Sequence, residues 1–111
     1  MRIYHITHLT DWEKARAAGS YRADSLASEG FIHCSTREQV PATAGRYYKG
    51  QTDLLLLEID PEHLTAPLKY ENSVGGQPPF PHIYGSLNLD AVERILPFPP
   101  NPDGSFSFPE T

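Results

Sequence analysis

The chain has little of several things, and each shortage excludes something. It holds one cysteine, Cys34, among 111 residues. An intramolecular disulfide is therefore impossible, and a reducing, cytoplasmic setting is expected. Cations are scarce: nine Lys and Arg stand against fourteen Asp and Glu, for a net charge of −5. Strong non-specific binding to nucleic acid rests on phosphate neutralisation and is not expected. The longest apolar run, Leu54 to Leu57, is four leucines, far short of the roughly 20 residues that cross a bilayer, so no membrane partner is expected. Met1 to His5 lacks the apolar stretch of a signal peptide and reads as a strand. The chain has no dinucleotide-binding G-x-G-x-x-G, no Walker loop, no H-E-x-x-H and no G-x-S-x-G.

What is present is one domain's worth of sequence, residues 1–111. Ile3 to Thr7 reads as an opening strand. Thr10 and Glu13 form a capping-box pattern for a helix that Gly19 can end. Tyr21 to Glu29 reads as a polar loop, and Gly30 turns the chain into a strand over Phe31 to Ser35. Thr36 to Gln39 is a second capping box, followed by a helix towards Tyr48. Pro41 requires either a distorted first turn or an α-helix that starts at the proline. Asp53 to Ile59 predicts a strand buried on both faces. Leu68 to Glu71 and Phe80 to Tyr84 are shorter strands around a loop holding Gly75-Gly76 and Pro78-Pro79. Asn88 predicts the cap of a short helix through Arg94. Ile95 to Phe98 and Ser105 to Phe108 suggest a hairpin. The sum is an α+β fold with two or three short helices on a mixed or antiparallel sheet.

Three of these strands repeat one device. His5-Ile6-Thr7, His33-Cys34-Ser35 and His82-Ile83-Tyr84 each set an imidazole two residues before a hydroxyl. Residues i and i+2 share a face of a strand, so each pair shares a face while Ile6, Cys34 and Ile83 point the other way. Such a face suits the floor of a polar cleft, although a solvated edge strand or a satisfied core histidine would carry the same residues. Cys34 alternates towards the core, away from the exposed, electropositive setting that a reactive thiolate requires. Glu71 ends its strand before the Gly/Pro loop, where it can stabilise a cation or simply be solvated. A zinc site from His5, His33 and His82 has enough ligands but no close ligand spacing.

These residues carry a resemblance. Ile3 to Thr7, Trp12, Gly19, Tyr21, the segment Glu29-Gly30-Phe31-Ile32-His33-Cys34-Ser35, the leucine run and Phe80-Pro81-His82-Ile83-Tyr84-Gly85 resemble a small bacterial domain-of-unknown-function family, number nine-five-two. The order of a His-x-Thr strand, a helix, an Ile-His-x-Ser strand and an apolar strand more distantly resembles the ADP-ribosyltransferase superfamily, nearest its RNA 2′-phosphotransferase branch. That likeness implies a split-sheet fold and a cleft for NAD⁺. It implies that His5, Thr7, Tyr21, His33 and Ser35 bind the nucleotide. Glu71, His82 and Tyr84 are the candidates for the catalytic side. Ile6 stands where the superfamily has glycine, and the RNA-handling arginines have no counterpart, which argues against RNA dephosphorylation. The expected function is binding of an ADP-ribose-type nucleotide or cleavage of the nicotinamide–ribose bond of NAD⁺. The alternatives are a non-catalytic interaction domain with structural histidines and a His-ligated metal-dependent hydrolase.

Overall fold

The computed structural model describes residues 1–72 and 78–109. The Gly75-Gly76 loop expected from sequence lies outside the described residues. The elements run β1 (Ile3–His8), α1 (Leu9–Ala18), β2 (Ser20–Tyr21), α2 (Asp24–Glu29), β3 (Ile32–His33), α3 (Val40–Tyr47), β4 (Leu54–Ile59), β5 (Leu68–Glu71), β6 (Phe80–Ile83), β7 (Leu87–Asn88) and β8 (Val92–Pro97). They form an α+β domain of three small sheets with strand orders β1-β4-β8, β2-β7 and β3-β6-β5. Every pairing between these strands is antiparallel.

The leucine strand β4 is central because it is apolar on both sides. Its register with β1 runs from Ile3↔Ile59 to His8↔Leu54. One face of this sheet, with Ile3, Leu57 and Ile59, packs on Trp12, Tyr21, Ile32, Cys34 and Ile83. The other, with Tyr4, Ile6, Leu54 and Leu56, packs on Val40, Ala44, Phe98 and Phe106. Burying each such side chain stabilises the fold by about 1.5–3 kcal/mol. By alternation His5 and Thr7 fall on the first of these faces, inside a core.

Several local expectations change. Helix α1 begins at Leu9, whose N–H donates to the carbonyl of Asp53 at 2.9 Å, so Thr10 lies inside the helix and its capping box does not form. The second box does form: the Thr36 N–H donates to Gln39 Oε1 at 2.9 Å. A 3₁₀ turn over Arg37–Gln39 precedes α3, and Pro41 sits in the first turn of that helix, where its missing N–H costs nothing. The region read as a polar loop holds the end of β2 and the whole of α2. Asn88 caps no α-helix; its side chain accepts from the Thr65 N–H and donates to the carbonyl of His63, and a 3₁₀ turn leads directly into β8. Nor does β8 form a hairpin with Ser105–Phe108. It pairs with β4, while Phe106 stacks on Phe98 at 5.1 Å and Phe108 meets Tyr4 edge-on at 5.0 Å. Phe98 and Phe106 are thereby buried in the second core, with Phe108 packed against it.

Candidate functional site

The strand β3 is short but well determined. Gly30 closes α2 in the left-handed conformation, with φ of 90°, and its N–H reaches the carbonyls of Ser25 and Leu26, both at 3.1 Å. The chain then pairs Ile32 with Ile83 and His33 with His82. Across β6, Leu68 pairs with Ile83 and Lys69 with His82. One face of the β3-β6-β5 sheet therefore presents Ile32, Ile83 and Leu68 to the core. The other carries His33, His82, Lys69 and Glu71.

On this second face the three catalytic candidates meet. The Tyr84 hydroxyl donates to Glu71 Oε1 at 2.5 Å, and His82 Nδ1 lies 2.9 Å from the same oxygen. These two hydrogen bonds, the tyrosine's first, hold the Glu71 carboxyl below its ordinary range. The same bond raises the Tyr84 phenol, which stays a neutral donor. The His82 side chain is 4% exposed and that of Glu71 39%, so an enclosed imidazole backs a carboxylate that solvent can reach. The enclosure comes from Phe31, whose ring stacks on His82 at 4.1 Å and 19°. His33 stands edge-on to both, 4.8 Å from Phe31 and 5.2 Å from His82 between ring centres. Its Nε2 is 3.0 Å from Glu29 Oε2 at the end of α2. Lys69 Nζ lies 4.8 Å from the centre of the Tyr84 ring.

His5, Thr7 and Tyr21 also meet, but deeper. His5 Nδ1 is 2.6 Å from the carbonyl of His33, Nε2 is 2.8 Å from the Tyr21 hydroxyl, and that hydroxyl is 3.0 Å from Thr7 Oγ1. Burial drives the His5 pKa down to about 4, so the ring is neutral at pH 7. A carbonyl only accepts, so Nδ1 carries the proton, and the bare Nε2 accepts from Tyr21. With its one proton committed, Tyr21 then receives the second bond from Thr7. That direction agrees with the lowering influence of Thr7 on a phenol that burial otherwise pushes up to about 12. Both nitrogens of His5 are thus engaged within the protein, and it reaches the exposed face only through the backbone of His33.

Ser35 goes elsewhere. Its backbone bridges Tyr4, with N–H···O distances of 2.7 and 2.8 Å, and its hydroxyl lies 3.3 Å from Thr43 Oγ1 on α3. Cys34 is buried, and desolvation raises its thiol far above the range of a reactive thiolate. His33 and His82 are neighbours while His5 stays in the core behind them, and among the described residues no three His, Cys, Asp or Glu side chains are placed to hold one metal ion.

Two residues of the exposed face, Phe31 and Glu29, were not anticipated. Phe31 is two residues before His33 and so shares its side; Glu29 becomes visible only once α2 and its Gly30 cap bring it round. Tyr21 also lines a concavity of about 300 Å³, together with Asp11, Lys14 and Arg22. Among the described residues no helix is long and apolar enough to cross a membrane.

The family model described as "Protein of unknown function (DUF952)" matches residues 6–95. The chain belongs to this family. It is similar to protein CC0527 from Caulobacter crescentus, whose crystal structure superposes with a TM-score of 0.88 at 35% identity, over 96% of this chain and 94% of that one. The solution NMR structure of CC0527 matches with a TM-score of 0.82 at 34% identity, over 96% and 91% of the two chains. No curated protein matches the sequence.

Proposed function

We propose that the chain is an ADP-ribosyltransferase-like protein that takes an NAD⁺-type dinucleotide on the exposed face of β3, β6 and β5 and cleaves its nicotinamide–ribose bond. The observation that carries this reading is the Glu71 carboxylate, held by Tyr84 and His82 and open to solvent. Loss of nicotinamide leaves positive charge on the ribose, and a preorganised anion stabilises that charge without reorganising. Phe31 and Tyr84 offer aromatic surface for the nicotinamide ring. In this reading His5, Thr7 and Tyr21 act from behind, by fixing the backbone of the strand that carries His33. Ser35 takes no part.

The test is nicotinamide release from NAD⁺, paired with thermal unfolding in the presence of NAD⁺ or ADP-ribose. A nucleotide at about 100 times its dissociation constant stabilises by about 2.7 kcal/mol, a rise on the order of 10 °C for a domain of this size. Glu71→Gln should keep that rise and lose nicotinamide release by at least ~10²-fold. A melting temperature unmoved by either nucleotide sinks the proposal.

One observation favours a second reading. His5, the residue whose likeness implies ribose binding, has both nitrogens satisfied internally. A module that binds the nucleotide without turning it over would show the thermal rise with no nicotinamide release. The metal-dependent alternative would instead show a rise with Zn²⁺ that His33→Ala abolishes.

A further inference from the structure

The exposed face holds two carboxylate–imidazole pairs. In one, Glu71 meets His82 Nδ1 at 2.9 Å; in the other, Glu29 meets His33 Nε2 at 3.0 Å. The rings are 5.2 Å apart and lie across one rung of the β3–β6 ladder. They differ in setting. The His82 side chain is 4% exposed, whereas those of His33 and Glu29 are 52% and 50% exposed. The other nitrogen of His33, Nδ1, has no hydrogen-bond partner among the described residues. His33 is met by Glu29 from α2, by Phe31 and by His82 from β6, with the buried His5 behind its carbonyl; Lys69, Glu71 and Tyr84 lie on the far side of His82.

A carboxylate on one ring nitrogen fixes the tautomer and orientation of an imidazole and stabilises the imidazolium formed when the other nitrogen takes a proton. From this pairing we infer that His33, positioned by Glu29, is the general base for the acceptor, and that the acceptor is a hydroxyl compound or water. This inference rests on the NAD⁺ reading and names the second substrate of the same site. In the step, the bond from ribose C1′ to the nicotinamide nitrogen breaks and its electron pair leaves with neutral nicotinamide. The acceptor oxygen forms the new C1′–O bond, and its proton passes to His33 Nδ1 and then to solvent. Glu71 faces the ribose cation and His33 faces the incoming oxygen, so the two pairs divide the work. An acceptor already ionised, such as a carboxylate, would have no need of the second pair.

The experiment measures nicotinamide release from NAD⁺ across pH 5 to 9, with water and then added methanol as acceptor. His33→Ala removes an exposed side chain and should leave the melting temperature and the NAD⁺-induced rise intact. Its kcat should fall ~10²-fold or more with KM unchanged, the span typical of a lost general base. A rate that falls on the acid side in the wild type and does not in the variant is the expected result, and added imidazole should restore part of the activity. Glu29→Gln should act in the same direction and more weakly. A His33→Ala protein that releases nicotinamide at the wild-type rate with the wild-type pH profile overturns the role of His33 and leaves the NAD⁺ reading standing. A wild type that neither binds nor cleaves NAD⁺ overturns both.

Discussion

At the scale of single residues, the most consequential group is one that is almost wholly buried. Tyr21 satisfies two neighbours with one hydroxyl, giving its proton to His5 and accepting from Thr7. Tyr21→Phe strips both of a partner at once, and an unsatisfied buried polar group costs about 1–3 kcal/mol. Thr7→Val keeps the shape and leaves the Tyr21–His5 bond in place. Urea denaturation should therefore rank Tyr21→Phe as clearly more costly than Thr7→Val; equal losses would mean that the hydroxyl chain is not cooperative. The His-x-hydroxyl pattern showed which atoms share a face, and two of its three copies hold together: His5 with Thr7, and His82 with Tyr84. The third fails because β3 ends at His33 and Ser35 turns to pair with Tyr4. Alternation along a strand carries no information about which side faces water, and that is why His5 and Thr7 look like cleft residues and prove to be core.

At the scale of elements, Gly85 is the sharpest constraint. A Cβ at this position would sit 2.7 Å from the Cβ of Ala66. The segment is pinned there, because the Tyr84 N–H donates to the Pro67 carbonyl at 2.8 Å. Gly85→Ala should cost about 1–3 kcal/mol by overpacking, and the double change with Ala66→Gly should recover most of it in the same unfolding assay. Persistence of the full loss in the double variant would place the cause elsewhere. The long strands β1 and β4 and the helix stop at Gly19 are legible in the sequence, because apolar runs and glycine caps are local signals. Helix α2 is not: six residues with Leu26 as its one large apolar side chain are too few to display a helical period. The misread helix after Asn88 has a tertiary cause, since Val92–Pro97 finds a ladder partner in β4 that no local pattern announces.

For the molecule as a whole, the joint lies at His5. It belongs to the β1-β4-β8 sheet, it bonds Tyr21 of the β2-β7 sheet, and it bonds His33 of the β3-β6-β5 sheet. Its protonation is therefore a global event. The unfolded chain takes up this proton near pH 6.5, whereas the folded protein resists until about pH 4. The folded state binds fewer protons in that window, so the stabilising contribution is complete above about pH 6.5 and is lost as pH falls towards 4, to a total of about 3 kcal/mol. Comparing wild type with His5→Phe isolates the effect: the gap in unfolding free energy between them should change by about that amount between pH 7.5 and pH 4. A gap independent of pH would refute the assignment.

The same joint bears on how the protein comes apart. A two-stranded ribbon is marginal alone and a three-stranded sheet persists only with an apolar face covered, so small sheets open locally wherever their ties to the rest are weak. The His5 imidazole bonds into all three and, with the shared core and the Tyr4–Ser35 backbone pair, ties their openings together. Backbone amides of Tyr21, His33 and Leu57, one from each sheet, should then exchange with deuterium at one common rate set by global unfolding, while in His5→Phe they should separate into slow and fast classes.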